Sequence, residues 1–239
     1  MSLFDLLKKV EKSIWGNSDA YNKKKFLDQI SSVGGKVLDL GANDGDFSLE
    51  VKSKAKASQV YTLEINPRVV KELKSKGIKV TQHDLNNPFP YKDEFFSLVT
   101  ANQVVEHLYH TDDFLKEIYR CVKPGGNLVI STTNLAAWHY RLMLLFGQEP
   151  ICLHPAEVHF GNFLKGKPTQ RYGHKSIFTH TAFCQFVQWY GFEIVDSYTT
   201  SFYPIPEPLG SSILKFIGPL GTYSTVLARK PKSAEFLGA

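Results

Sequence analysis

The sequence predicts an α/β fold: a doubly wound, mostly parallel sheet of seven strands, with a helical N-terminal extension and an insertion after the fifth strand. Three observations carry this. Strand-like and helix-like segments alternate with short connections between residues 33 and 132. The first strand runs directly into a glycine turn and a helix, Lys36-Val37-Leu38-Asp39-Leu40-Gly41-Ala42-Asn43-Asp44-Gly45-Asp46-Phe47. The first three strands each carry an acid at or just past their ends: Asp39, Glu64 and Asp84. Right-handed crossovers in such a sheet gather the C-terminal strand ends on one rim, where ligands bind.

Each element has its own signal. Phe4, Leu6, Leu7, Val10, Ile14 and Trp15 recur at near-helical spacing, so residues 1–30 predict an amphipathic helical cap. Val37–Leu40 is a short buried strand. A helix from Asp46 to about Ala57 puts Phe47, Val51 and Ala55 on one face. Gln59–Ile65, alternating and β-branched, is the second strand. Asn66-Pro67 opens a helix with Asn as cap and Pro in the first turn, and Gly77 closes it. Ile78–His83 and Phe95–Ala101 are the third and fourth strands. Thr111 is expected to cap the next helix, with Asp112 and Asp113 suiting its positive end. Lys123-Pro124-Gly125-Gly126 should stop that helix before the fifth strand, Asn127–Thr132.

The pattern then changes. Trp138, Tyr140, Phe146, Phe160, Phe163 and Tyr172 stand among scattered Gly, Pro and His, which predicts an insertion over the strand ends, helical from about Leu135 to Phe146. Thr179–Tyr190 reads as a capped amphipathic helix closed by Gly191. Phe192–Thr199 and Thr222–Arg229 are the last strands, separated by the proline-rich Tyr203–Pro208. Joined by a loop and not a helix, they are expected to pair antiparallel. One domain should therefore span 1–239: a cap at 1–30, a cofactor-binding core at 33–132, a substrate-side insertion at 133–177, and a C-terminal helix and strand pair at 178–239.

Composition narrows the function classes. With 43% apolar residues among 239, a normal core is expected and disorder is not. Net charge is only +5, and Lys23-Lys24-Lys25 is the one tight basic run, so a nucleic-acid partner is not expected. Cys121, Cys152 and Cys184 lie far apart with no C-x-x-C pair, which argues against a zinc site or a disulfide framework. Met1–Val10 already holds Asp5, Lys8 and Lys9, unlike a signal peptide, and Leu142–Phe146 is too short to span a bilayer. A cytoplasmic protein without membrane insertion is expected; oligomeric state is left open.

The glycine turn is a nucleotide cradle, and two cofactors compete for it. A dinucleotide fingerprint is G-x-G-x-x-G with an acid some way on. Here the middle and last glycines are displaced, although Asn43 tolerates the left-handed backbone such a turn needs. A pyrophosphate would be repelled by Asp39, Asp44 and Asp46, whereas an amino group and a sulfonium would be attracted. That favours S-adenosylmethionine over NAD. The stretch 36–47 resembles motif I of the class I S-adenosylmethionine-dependent methyltransferases, of the small-molecule type, and the resemblance continues in order to residue 132. It implies their Rossmann-like fold, with the seventh strand inserted antiparallel beside the sixth. It also implies roles. Asp39 would hold the methionine amino group, directly or through water, with Gly41, Ala42, Asn43 and Gly45 giving backbone access. Glu64, followed by Ile65, would take the ribose diol. Asp84 would receive the adenine amino group while the Leu85 N–H meets a ring nitrogen.

Asn102-Gln103-Val104-Val105-Glu106-His107 follows the fourth strand, where the transferable methyl should hang. It is similar to the V-x-E-H segment of many small-molecule methyltransferases, and places Asn102, Gln103 and His107 at the cofactor. Some ubiquinone-pathway and small-RNA 2′-O-methyltransferases carry a Glu where this chain has Gln103 and bind a divalent metal there. Losing that carboxylate weakens a hard-cation site, so no metal is expected, and capping and packing account for Glu106 and His107. Gly173-His174-x-x-Ile177-Phe178-Thr179 resembles the G-H-x-x-x-F-T stretch that borders the substrate pocket in such enzymes. His174 is thus the candidate general base, with His154 and His159 as further histidines of the covering region. Trp15, Tyr21, Trp138 and Tyr140 could wall the pocket or face the sulfonium. The expected function is methyl transfer to a small-molecule acceptor, at a hydroxyl oxygen. RNA methylation, and a non-catalytic cofactor-binding protein of this fold, stand as the alternatives.

Overall fold

The computed structural model describes residues 3–153, 156–169 and 173–232, with side chains described from residue 16 onward. Strand β1 (Lys36–Leu40) is buried from Val37 on because helices cover both faces of the sheet. It pairs in parallel with β2 (Gln59–Glu64) on one side and with β4 (Phe96–Asn102) on the other. Parallel pairing then extends to β3 (Lys79–Gln82) beyond β2 and to β5 (Val122–Thr133) beyond β4. The last strand, β7 (Tyr223–Arg229), enters antiparallel between β5 and β6 (Glu193–Thr200), giving the order β3-β2-β1-β4-β5-β7-β6. The edge strands β3 and β6 are the most exposed, as suits strands with an unpaired side.

The helices are α1 (Leu3–Asp28), α2 (Asp46–Lys54), α3 (Pro67–Ser75), α4 (Thr111–Cys121), α5 (Trp138–Leu145), α6 (His180–Trp189) and α7 (Leu209–Ile217). One face of the sheet packs Val37, Leu98 and Val129 against Phe26 and Leu27 of α1 and Val51 of α2. The other packs Leu38, Leu40, Val99, Leu128 and Ile130 against Phe114, Leu115 and Ile118 of α4 and Phe183 and Val187 of α6. The C-terminal part of α1 is therefore a layer of the core as well as a cap. The apolar stripe expected at residues 4–15 lies outside the described side chains.

The start and stop signals hold at most boundaries. Asn66 caps α3 by accepting the Arg68 N–H at 3.0 Å, and Thr179 caps α6 by accepting from Ala182 at 3.2 Å. Three expectations are corrected. Thr111 is the first residue of α4, not its cap; His110 precedes the helix and makes no side-chain cap. Residues 122–126 belong to β5, which follows α4 without a separate turn. The last two strands are joined through a helix, α7, which starts just after Pro208 and buries Gly210 and Leu214, one turn apart. Among the described residues no helix is long and apolar enough to cross a membrane. The three cysteines form no disulfide.

Candidate active site

A cavity of about 700 Å³ lies over the C-terminal ends of the central strands. Gly41, just past β1, lines it with φ +76, and a Cβ there would sit 2.5 Å from Val104 Cγ2. Only glycine fits that close approach. Asn43 and Gln103 line the cavity with φ 45 and 56. Asparagine visits that region readily, whereas a residue such as Gln103 held there costs about 1–3 kcal/mol. Glu64 borders the cavity while its Oε1 accepts the Asn66 N–H at 2.8 Å. Ile65, 61% exposed, and Leu85 give apolar edges against which a planar base can lie. With His107, these are the expected cofactor residues that the fold brings together.

Others sit elsewhere. Asp39 is 1% exposed and lies beneath the glycine turn, not in the cavity wall. Its Oδ2 accepts the Ser48 hydroxyl and its Oδ1 the Thr100 hydroxyl, each at 2.6 Å. Burial pushes its carboxyl up to about 6, and those two hydroxyls only partly offset this. Of the two routes expected for Asp39, direct contact or contact through water, this burial fits the second. Ala42 is buried among Val60, Leu73 and Ile78. Gly45 is glycine for packing: a Cβ would meet Leu73 Cδ2 at 2.6 Å and Ile78 Cδ1 at 2.8 Å. Asp84 uses Oδ1 in an Asx turn, accepting the backbone and side-chain N–H of Asn86 at 2.9 Å. Asn102 accepts the Ser131 hydroxyl at 2.6 Å.

A second cavity, about 350 Å³, adjoins the first across Gln103 and His107, which line both. Its polar side holds Asp19, Glu106, His159, His174, Tyr140 and Tyr223; Ile151, Leu164 and Pro168 close it from the insertion. Tyr140 and His159 therefore wall it as expected. Trp138 instead stacks on Phe202 and donates its indole N–H to the Tyr203 carbonyl at 2.6 Å, and Tyr21 lines a different cleft. The side chain of Trp15, and His154, lie outside the described residues.

Three groups converge between the cavities. A carboxylate oxygen of Glu106 and one ring nitrogen each of His107 and His174 lie within 4.8 Å of one another. The segment 173–176 is tied there by its backbone: the N–H groups of Lys175 and Ser176 donate to the Glu106 carbonyl at 2.6 and 3.2 Å. The Ser176 hydroxyl donates to the Leu108 carbonyl at 3.0 Å. His174 Nδ1 is 2.8 Å from the Cys152 carbonyl. A carbonyl only accepts, so Nδ1 carries the proton and Nε2 of the neutral ring keeps its lone pair. Glu106 is 1% exposed. Burial pushes its carboxyl up to about 7, while hydrogen bonds from its own backbone, Thr132 and Thr133 pull it back in part. The Gln103 amide, turned to satisfy both ends, donates to Glu106 Oε1 at 3.0 Å and accepts the Thr132 N–H at 3.2 Å. Glu106 Oε2 is buried without a hydrogen bond of good geometry. One carboxylate and two imidazoles can hold a divalent cation, of borderline rather than hard character.

Sequence reasoning missed Asp19, Thr133, Cys152 and Tyr223 at the second cavity, because four separate segments deliver them. It also missed Asn66 and Lys175 at the first. Lys175 adjoins the G-H motif and could have been found from it.

A methyltransferase-domain family model matches residues 18–197. Over 143 residues the chain is 30% identical to the mitochondrial ubiquinone biosynthesis O-methyltransferase of Mus musculus, covering 53% of this chain and 36% of that protein. Over 104 residues it is 33% identical to the ubiquinone/menaquinone biosynthesis C-methyltransferase of Neisseria meningitidis, covering 41% of this chain and 42% of that one. The chain thus spans less than half the length of these curated relatives. The structure of an S-adenosylmethionine-dependent methyltransferase from Mesorhizobium loti matches with a TM-score of 0.60 at 19% identity, over 87% of this chain and 96% of that one. At that identity the likeness is one of fold.

Proposed function

We propose, from the premise that this chain belongs to the methyltransferase-domain family, that it transfers the methyl group of S-adenosylmethionine to a hydroxyl oxygen of a small-molecule acceptor. The observation that carries this reading is the shared wall: one cavity has the glycine turn and ribose-side acid, the other has ionisable groups, and Gln103 and His107 border both. When bound, S-adenosylmethionine supplies an electrophilic methyl whose leaving group is a neutral thioether. The protein's task is therefore alignment. Gly41, Asn43 and Glu64 fix the donor from one side, and the second cavity fixes the acceptor oxygen from the other. As the oxygen–carbon bond forms and the carbon–sulfur bond breaks, the acceptor loses its proton to Nε2 of His174. The hydrogen bond from Nδ1 to the Cys152 carbonyl holds the ring in the tautomer that can take it. Asp39 acts from below the turn, through water or through the electrostatic field, on the donor's amino group. The curated relatives methylate oxygen in one case and carbon in the other by their names, so the choice of oxygen rests on His174.

The Glu106–His107–His174 set favours a second reading, in which a divalent cation bound there lowers the pKa of the acceptor hydroxyl. Calorimetry with S-adenosylmethionine and S-adenosylhomocysteine, followed by a mass-detected screen of hydroxylated acceptors, tests the proposal. Failure to bind either adenosyl compound sinks it. Product that carries the methyl on carbon removes the oxygen assignment.

A further inference from the structure

The insertion that covers the second cavity is apolar on its outside as well. Leu145 and Phe146 at the end of α5 are each 75% exposed, and Phe163 is 70% exposed. Leu144 and Phe160 are also more than half exposed. The chain brings these two clusters side by side. The Glu149 N–H donates to the Gly161 carbonyl at 2.8 Å, and the Asn162 amide donates to the Glu149 carbonyl at 3.1 Å. Soluble surfaces seldom leave so many large apolar side chains together without a use. Exposed Arg141, Lys165 and Lys167 flank them, against exposed Glu157 and half-buried Glu149.

We infer that this face of the insertion docks on an anionic lipid bilayer, with its apolar side chains in the headgroup boundary and its three cations against lipid phosphates. The charge pattern decides between occupants. A two-fold interface between copies of this chain would bring two faces of net positive charge together, whereas an anionic membrane surface attracts each cation. The cavity behind the face gives the docking a purpose. Ile151 and Leu164, from the same segment, point into the acceptor cavity while Phe146 and Phe163 point out. An amphiphilic acceptor lifted from the bilayer would meet apolar contacts first and the ionisable groups at the methyl site last. This last step rests on the proposed methyl-transfer reading; the docking surface itself does not.

The test is co-sedimentation of the full chain with phosphatidylcholine vesicles, with and without phosphatidylglycerol, across a salt series. Binding should require phosphatidylglycerol and weaken as salt rises. Removing two apolar contacts with Phe146→Ser and Phe163→Ser should lower the partition coefficient by about tenfold or more. Lys165→Glu with Lys167→Glu should abolish the preference for anionic vesicles. All four positions are exposed, so both variants should fold, and S-adenosylmethionine affinity by calorimetry should be unchanged. Wild-type protein that stays in solution with anionic vesicles at low salt overturns the inference. So does binding that ignores the two phenylalanines. Concentration-dependent dimerisation that Phe146→Ser and Phe163→Ser abolish, without vesicle binding, assigns the face to self-association and also overturns it. Vesicle binding by a chain that binds no adenosyl compound would uphold the docking face and sink the methyl-transfer reading, which keeps the two failures apart.

Discussion

Asp39→Asn should make the ligand-free protein more stable and the liganded protein less so. The reason is the burial of Asp39. Its carboxyl is raised from 3.8 to about 6, chiefly by loss of water. At about 1.36 kcal/mol per unit, that shift amounts to about 3 kcal/mol of penalty for keeping the ionised form folded at neutral pH. The direction with pH follows. The folded chain holds this proton up to about pH 6, whereas the unfolded chain releases it near 3.8. The stabilisation from protonation is therefore complete below the lower value and lost as pH rises through the upper one. Asparagine keeps the shape without the charge, and the Ser48 and Thr100 hydroxyls can turn to meet its amide. Allowing for one poorer hydrogen bond of about 1 kcal/mol, Asp39→Asn should gain about 1–2 kcal/mol at pH 7 and nothing near pH 4. Urea unfolding at the two pH values measures the difference, from which other buried groups cancel. The same melts with S-adenosylmethionine should show the order reversed, because a charge that balances the donor's ammonium is gone. Equal destabilisation at both pH values, or undiminished stabilisation by the cofactor, would refute the reasoning.

His174→Ala should lower turnover by about 10²–10⁴-fold, as for loss of a general base, with cofactor affinity by calorimetry little changed; equal losses in both would make His174 structural. Lys175→Ala should do the opposite. Its side chain borders the donor cavity and is exposed, so its removal should cost about 0.5–1 kcal/mol of cofactor affinity while turnover at saturating donor holds. Gly45→Ala should destabilise the ligand-free fold by about 1–3 kcal/mol, because the added methyl meets Leu73 and Ile78 and the backbone is at φ +87. Thermal melts without ligand would show it, and an affinity loss without a melting shift would restore Gly45 to the ligand. Treatment with a chelator followed by dialysis should leave turnover unchanged if His174 acts as a base, and abolish it reversibly if a cation occupies the set with Glu106 and His107.

The parallel core was legible because its signals are local. Asn66-Pro67, Gly77 and Thr179 each act within a turn of where they stand. Positive φ at Asn43 follows from side-chain chemistry at a tight turn. Helix α7 was not legible, since prolines at 204, 206 and 208 and a glycine at 210 mask a short apolar repeat. The roles of the acids were half legible. Their place at the strand ends is a matter of topology. Whether each faces a ligand depends on its partners: Ser48 and the remote Thr100 close over Asp39, while Asn86, two residues on, takes up one oxygen of Asp84 in a local turn. The packing constraint on Gly45 was not legible either, as it comes from α3 and the segment leading into β3.

The segment 173–176 explains how one chain can serve two cavities. Successive residues of this segment border different cavities. Gly173 and Lys175 border the donor cavity, and His174 between them borders the acceptor cavity. The carbonyl of Glu106 fixes the segment's register through Lys175 and Ser176. A shift of one residue would carry His174 to the donor side and put a glycine or a lysine beside the acceptor. The backbone of Glu106 thus does as much for the site as its carboxyl. The V-x-E-H turn after β4 and the G-H stretch before α6, some 65 residues apart in sequence, make one device. Under the proposed methyl transfer, the turn would wall the donor and the stretch it anchors would divide the two reactants.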